Sequence, residues 1–523
     1  MDYGEGGGRS LRGSLLLLLG MTCVLAGCGG RHPPGLASQS PPVAEISNPA
    51  ETREIAWFKG SVEQALAAAA RDNKLLLIYW GAKWCPYCQA LRKTVFTRRD
   101  FIEKTTLFVP VYLDGDMPGA QAWGETFKIS GYPTLLILKP DRTELARMSG
   151  GMDLSLYAGL LDEALQDQRP ILAVLKPGGG PQDCHRLAYY GWDPAALPEQ
   201  NPGAVGGMDP ATLATLLTAA AARCQGTEQA RLQVSALSFA LQGKSDHQPG
   251  PIEREVLVAR LQNLNTLLER PELSLPAIDL IAGLDDSLFA AVSQQSRDFI
   301  DQFRIHWVAR MQAASNDSKF GDADRLIALA SALDATQALT PDHHIPQSMQ
   351  DAARDRIRQA LDADRDRFKR NDLVNAAGII YDVLGDDAAA HDMYVKELPN
   401  TRTPYYYMSH LAALAEKHGQ SKEALDWMAK AYASSEGPAT RLRWGGSYVR
   451  ALVRLAPDDT ARIRIAALQV AVDLTQSGGP HGRSRTAITQ INKTLDQWAS
   501  TPQRRAVVAE FAAHLPTEDA KST

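Results

Sequence analysis

What the 523-residue chain lacks narrows its chemistry. It holds six cysteines but only one Cys-x-x-Cys pair. No second pair and no paired histidines at ligand spacing occur, so a four-ligand zinc site has no complete donor set, and no metal is expected. There is no sustained basic stripe and the net charge is −5, so nucleic acid is not an expected partner. No nicotinamide or flavin fingerprint is present, and no apolar run reaches the length of a membrane span. With 45% hydrophobic residues the chain can bury a core, and its length implies two or three domains.

The one pair is Cys85 and Cys88, and its setting is informative. The apolar run Leu75-Leu76-Leu77-Ile78-Tyr79-Trp80 reads as a buried strand, followed by a turn at Gly81. Then come Trp84-Cys85-Pro86-Tyr87-Cys88 and the helix-permissive Gln89–Lys93. Strand, turn, Cys-x-x-Cys, helix puts the first sulfur at a helix N-terminus, where free N–H groups favour thiolate over thiol. The second lies one turn on, within reach of a mixed disulfide formed by the first. Cys85 is therefore the expected nucleophile and Cys88 the resolving thiol. The pair itself serves as the redox centre, with no separate cofactor.

Arg9 and Arg12 precede the short run Leu15–Leu19, which leads to Leu25-Ala26-Gly27-Cys28. A basic start and a short apolar stretch read as a secretory signal. The ending resembles the lipobox of bacterial lipoproteins, which implies cleavage after residue 27 and lipidation of Cys28. That resemblance places the protein in the periplasm on a lipid anchor, with the outer membrane preferred because Gly29, not Asp, follows the cysteine. Residues 28–50, with five prolines and no apolar periodicity, read as a tether.

Residues 51–168 alternate helix and strand patterns. Helices are expected over 61–73, 123–129 and 153–165, and strands at 75–80, 106–113, 135–138 and 145–148. That is an α/β layer around a small central sheet. Cys85-Pro86-Tyr87-Cys88, together with Tyr132-Pro133-Thr134 forty-five residues beyond the second cysteine, resembles the thioredoxin superfamily. The stretch from Trp84 through Thr94-Val95-Phe96-Thr97, with Gly151-Met152-Asp153, is most similar to the C-terminal periplasmic domain of the transmembrane thiol:disulfide interchange reductase. The likeness covers about 115 residues. It implies a mixed sheet flanked by helices and a cis Pro133 facing the cysteines. It also implies that Trp84, Pro86, Tyr87, Tyr132, Pro133 and Thr134 contact the substrate. Pro-Tyr between the cysteines is the glutaredoxin dipeptide, which by analogy suggests a potential of about −200 to −270 mV. Thioredoxins carry a buried acid six residues before the first cysteine. Here that residue is Tyr79, and Pro110 replaces the accompanying lysine, so the base assisting Cys88 is unidentified.

Residues 169–209 are rich in Pro and Gly and read as a connector. In an oxidising compartment Cys184 and Cys224 would pair and pin this connector to the following helix, capped by Asp209 with Pro210 in its first turn. Two free thiols or a second redox relay are the alternatives. From residue 210 to 515 the pattern is helical, followed by a tail at 516–523. Gly385, Ala390, Asp392, Tyr394 and Lys396 recur 34 residues later as Gly419, Ala424, Asp426, Met428 and Lys430. The segments Leu373–Leu398 and Tyr407–Tyr432 resemble tetratricopeptide hairpins, which implies an all-α second domain able to hold a peptide partner. Tyr405-Tyr406-Tyr407 and Trp427 are either anchors for that partner or core. Helices are also expected over 256–268 and 289–311.

The leading expectation is a membrane-tethered thiol–disulfide oxidoreductase acting on protein disulfides, supplied by an upstream thiol electron donor. The other is a lipoprotein adaptor whose helical repeats bind partners and whose thioredoxin-like part is structural.

Overall fold

The computed structural model describes residues 54–149, 154–176, 178–197, 207–242, 251–284, 286–363 and 367–516. The signal, Cys28, the tether, Gly151-Met152-Asp153 and the tail beyond 516 lie outside them.

Strand β1 (Leu75–Gly81) is buried along its whole length. An uninterrupted apolar strand needs cover on both faces, and β1 sits inside a four-stranded sheet of order β2-β1-β3-β4. It pairs parallel with β2 (Phe108–Asp114) and antiparallel with β3 (Thr134–Leu138), which pairs antiparallel with β4 (Glu144–Ser149). Alternation along β1 divides the core in two. Leu75, Leu77 and Tyr79 face α2 (Pro86–Thr94), α3 (Arg99–Thr105) and α5 (Leu154–Gln166), while Leu76, Ile78 and Trp80 face α1 (Val62–Arg71) and α4 (Ala120–Thr126). Ser61 and Gln64 cap α1 reciprocally, a capping box that fixes its start.

Two helices differ from the sequence expectation. The helix expected at 123–129 is α4, shifted toward the N-terminus. It starts after Gly119 at φ 77° and ends as Lys128 takes φ 51°, which turns Phe127 and Ile129 into the core. The segment expected as one helix over 289–311 is two, Asp286–Ser293 and Arg297–Asn316, because Ser296 caps the second through the Phe299 N–H.

Within the 169–209 stretch, the described residues up to 197 pack against the sheet edge. Arg147 of β4 is buried and donates to Phe127 O at 2.7 Å and Glu144 Oε2 at 2.8 Å, while Gly191 N donates to its carbonyl at 2.8 Å. The edge strand is thereby covered. Cys184 and Cys224 form a disulfide with Cα atoms 5.6 Å apart, on the core that joins this stretch to the helix Pro210–Ala221.

Helices follow among the described residues to residue 513. Gly385 and Gly419, at φ 65° and 72°, follow the helices Arg367–Leu384 and Pro404–Lys417 alike: the N–H after each reaches the carbonyl of residue 381 or 415. Ala390 and Ala424 are buried where paired helices meet. Tyr405 and Tyr407 are core, whereas Tyr406 turns toward Trp84 of the sheet domain.

Candidate active site

The turn after β1 delivers Cys85 as the N-cap of α2, with Pro86 in the first turn where its missing N–H is no loss. The Cys88 N–H donates to Cys85 Sγ at 3.2 Å, so the first sulfur takes the capping place that an Asp or Ser oxygen usually fills. Both thiols are free, and Cys85 and Cys88 are 3% and 0% exposed.

The Tyr132–Pro133 peptide is cis, and Thr134 beyond it pairs with Trp80 in the sheet. Tyr132 stacks on Trp80 (centroids 5.6 Å) and meets Trp84 edge-on (5.5 Å). Six of the expected residues, Trp84, Cys85, Cys88, Tyr132, Pro133 and Thr134, thus gather where β1 ends and β3 begins. Thr134 is buried, donating to Gly131 O at 3.0 Å. Tyr87 is turned toward the helical half, as the carboxylates acting on it show.

Where the superfamily places an acid, Tyr79 packs against Tyr112 (5.2 Å), with the Arg92 guanidinium over both rings at 5.8 and 4.5 Å. The Tyr79 hydroxyl reaches Cys88 O at 3.5 Å. Burial pushes the Tyr79 phenol up, so it stays protonated.

The helical half closes over this site. The helix Arg367–Leu384 packs on α2 and brings Asp372, whose charge acts on Cys85 and Tyr87; Asp324, from the helix Asp322–Leu339, acts on Asp372 and Tyr87. Burial, with Asp324 beside it, raises the Asp372 carboxyl to about 8. Burial also pushes the Cys85 thiol up, and the Cys88 sulfur and Asp372 add to this. Burial alone would raise Cys88 too, but hydrogen bonds to Cys85, Ala82 and Tyr79 and the Arg92 charge more than offset it. The helix N-terminus expected to favour a Cys85 thiolate is present. Desolvation by burial outweighs it.

Further contacts tie the halves together. Asp116 accepts from Trp84 Nε1, from Thr440 N at 2.9 Å and from Thr440 Oγ1 at 3.1 Å. Glu125 of α4 accepts from Gly482 N at 3.3 Å and Arg485 Nε at 3.1 Å. The Arg483 guanidinium lies 5.2 Å from the Tyr132 ring centroid. Asp116, Asp324, Asp372, Thr440 and Arg483 went unmarked in the sequence reading. Contacts spanning more than two hundred residues leave no local pattern.

A thioredoxin-like domain family model matches residues 62–165. Those residues form a thioredoxin-like domain. Similar solved structures include one titled DsbH Oxidoreductase, 20% identical, covering 24% of this chain and 95% of that one, with a TM-score of 0.20. A thioredoxin from Thermus thermophilus is 22% identical over 21% of this chain and 88% of its own, also with a TM-score of 0.20. Among curated proteins nothing matches. The thioredoxin-like domain thus accounts for the sheet, α1 to α5 and the cysteine pair. The helices beyond it lie outside the matched residues.

Proposed function

We propose that the chain is a thiol–disulfide oxidoreductase acting on protein disulfides, held in the periplasm by a lipid on Cys28. The observation that carries this reading is Cys85 at the N-cap of α2, with the Cys88 N–H on its sulfur and the cis Tyr132–Pro133 turn beside it. The Cys85 thiolate attacks one sulfur of a substrate disulfide. A Cys85–substrate bond forms, and the other substrate sulfur leaves as thiolate. Cys88 then attacks Cys85 Sγ, releasing the second substrate thiolate and leaving the Cys85–Cys88 disulfide. Two electrons have passed to the substrate, and an upstream dithiol donor restores the pair.

A sulfur 3% exposed cannot meet a disulfide in another protein, so attack requires the 367–384 helix to move off α2. Uncovering also removes the desolvation that holds the Cys85 thiol protonated, leaving the helix N-terminus to favour thiolate. Reduced protein should reduce insulin disulfides, and Cys85→Ser should abolish this; equal activity in that variant excludes the mechanism.

The closure itself favours a second reading, an adaptor whose helical half binds partners and whose thioredoxin-like domain is a docking module. Cys88→Ala separates the two. Covalent adducts through Cys85 support catalysis, whereas non-covalent partners alone support the adaptor.

A further inference from the structure

Between the thioredoxin-like domain and the helices Pro438–Leu455 and Gly482–Trp498 lies a cleft of about 510 Å³, within the roughly 300–1,000 Å³ of ligand sites. One wall carries Trp84 and Tyr132, the sequence neighbours of Cys85 and Pro133. The other carries Tyr406 and Trp444. The Trp84 and Tyr406 rings of the two walls touch, with centroids 6.3 Å apart, so together they form one aromatic patch on which the methylenes and peptide planes of a polypeptide can pack.

Charge selects among polypeptides. The chain as a whole is acidic, at −5, yet this cleft is lined by Lys128, Arg443, Arg450, Arg483 and Arg485 against only Glu125 and Asp193. Glu125 is committed to Arg485, His481 and Gly482 N, so this acid and Arg485 offset each other within the wall. The remaining guanidinium groups are held in place. Arg450 donates to Gln490 Oε1 at 3.1 Å and Ser447 Oγ at 3.2 Å, Arg443 lies 5.4 Å from the Trp444 ring centroid, and Arg483 lies over Tyr132. An oriented guanidinium loses little freedom on taking a carboxylate, and its planar fork matches one. All three come from the helical half and line a cleft that runs to the residues flanking the redox motif.

We infer that this cleft recognises an acidic polypeptide segment adjoining the disulfide of the substrate, with Arg443, Arg450 and Arg483 holding its carboxylates. The cleft takes the flanking segment and not the disulfide, since Trp84 lines it and Cys85 does not. This rests on the oxidoreductase reading for the chemistry, and adds the substrate class and the role of the helical half in choosing it. Acidic segments otherwise meet an acidic protein, so the basic wall also steers encounter toward the motif.

The test uses the full chain, dithiothreitol as electron source, and two short peptides. Each carries one cysteine as a mixed disulfide with cysteamine, flanked by Glu in one and Gln in the other. The Glu peptide is expected to be reduced with roughly tenfold higher kcat/KM at low salt. The preference should fall toward unity at high salt and in Arg443→Gln/Arg483→Gln. Equal reduction of both peptides by the unaltered chain overturns the inference and leaves the oxidoreductase reading standing. If neither is reduced, that reading fails, and the cleft is tested by fluorescence anisotropy of the same peptides with cysteine replaced by serine. Preferential binding of the Glu peptide, lost in the double variant, supports the inference; equal or absent binding overturns it.

Discussion

Asp372→Asn is the substitution whose consequence the closed arrangement fixes most tightly. Asp372 reaches the active site from the helical half and faces Asp324, Cys85, Tyr87 and Tyr407. Its carboxyl is raised from 3.8 to about 8, chiefly by burial. A folded value above the unfolded one means that the native state holds a proton the unfolded chain releases. The stability this provides is complete below pH about 4 and is lost as pH rises to about 8. Fully expressed, such a difference corresponds to a ceiling of about 5–6 kcal/mol. The Asp372 side chain keeps some solvent contact, so about 2–3 kcal/mol is the expected size. Asparagine never ionises. The variant should match the unaltered protein at pH 4 and exceed it by that amount at pH 8, a rise of several degrees in Tm. Melts at pH 4, 6 and 8 read the divergence. The same substitution removes a negative charge acting on Cys85, so the midpoint of its alkylation–pH profile should fall. Melting curves that stay parallel from pH 4 to 8 would refute the placement of this carboxyl over the redox motif.

Other expectations follow from the same contacts. Asp116→Asn cannot accept from Trp84 and both Thr440 donors as a carboxylate does. It should weaken closure by about 1–3 kcal/mol and speed iodoacetamide labelling of Cys85 severalfold, with an unchanged rate counting against the tie. Cys184→Ser/Cys224→Ser removes a crosslink 40 residues long in sequence and should cost about 2–4 kcal/mol in urea unfolding, with insulin reduction retained. Loss of turnover in a folded double variant would instead make that pair a relay. Tyr79→Phe removes the hydroxyl that reaches Cys88 O and helps hold the Cys88 thiol down, and should leave the insulin rate within about threefold; a collapse of activity would make that hydroxyl essential to the resolving step.

Legibility in the sequence follows the range of the interactions. The β1 run Leu75–Trp80 and the start of α2 were readable because local burial and capping decide them: a seven-residue buried strand, then Cys85 with proline behind it. Tyr132-Pro133-Thr134 was readable through resemblance, which carried a distant loop onto the cysteines. Helix ends set by one backbone angle or one hydroxyl, Lys128 and Ser296, were missed because apolar periodicity ran on through both. Asp116, Asp372 and Arg483 had no signal. An aspartate on a helix reads as a solvated face until other elements cover it, and Asp372 changes its chemistry because it is buried beside Asp324. The Cys85 thiol is pushed up in the closed form for the same reason: helix geometry is local, and desolvation is not.

The most direct measurement is a redox titration of the intact chain against glutathione, with Cys85 and Cys88 alkylation read by mass spectrometry. The account predicts one reversible two-electron transition joining these sulfurs, at about −200 to −270 mV. Thiols that stay reduced across the whole range, in a protein that also leaves insulin intact, would contradict it.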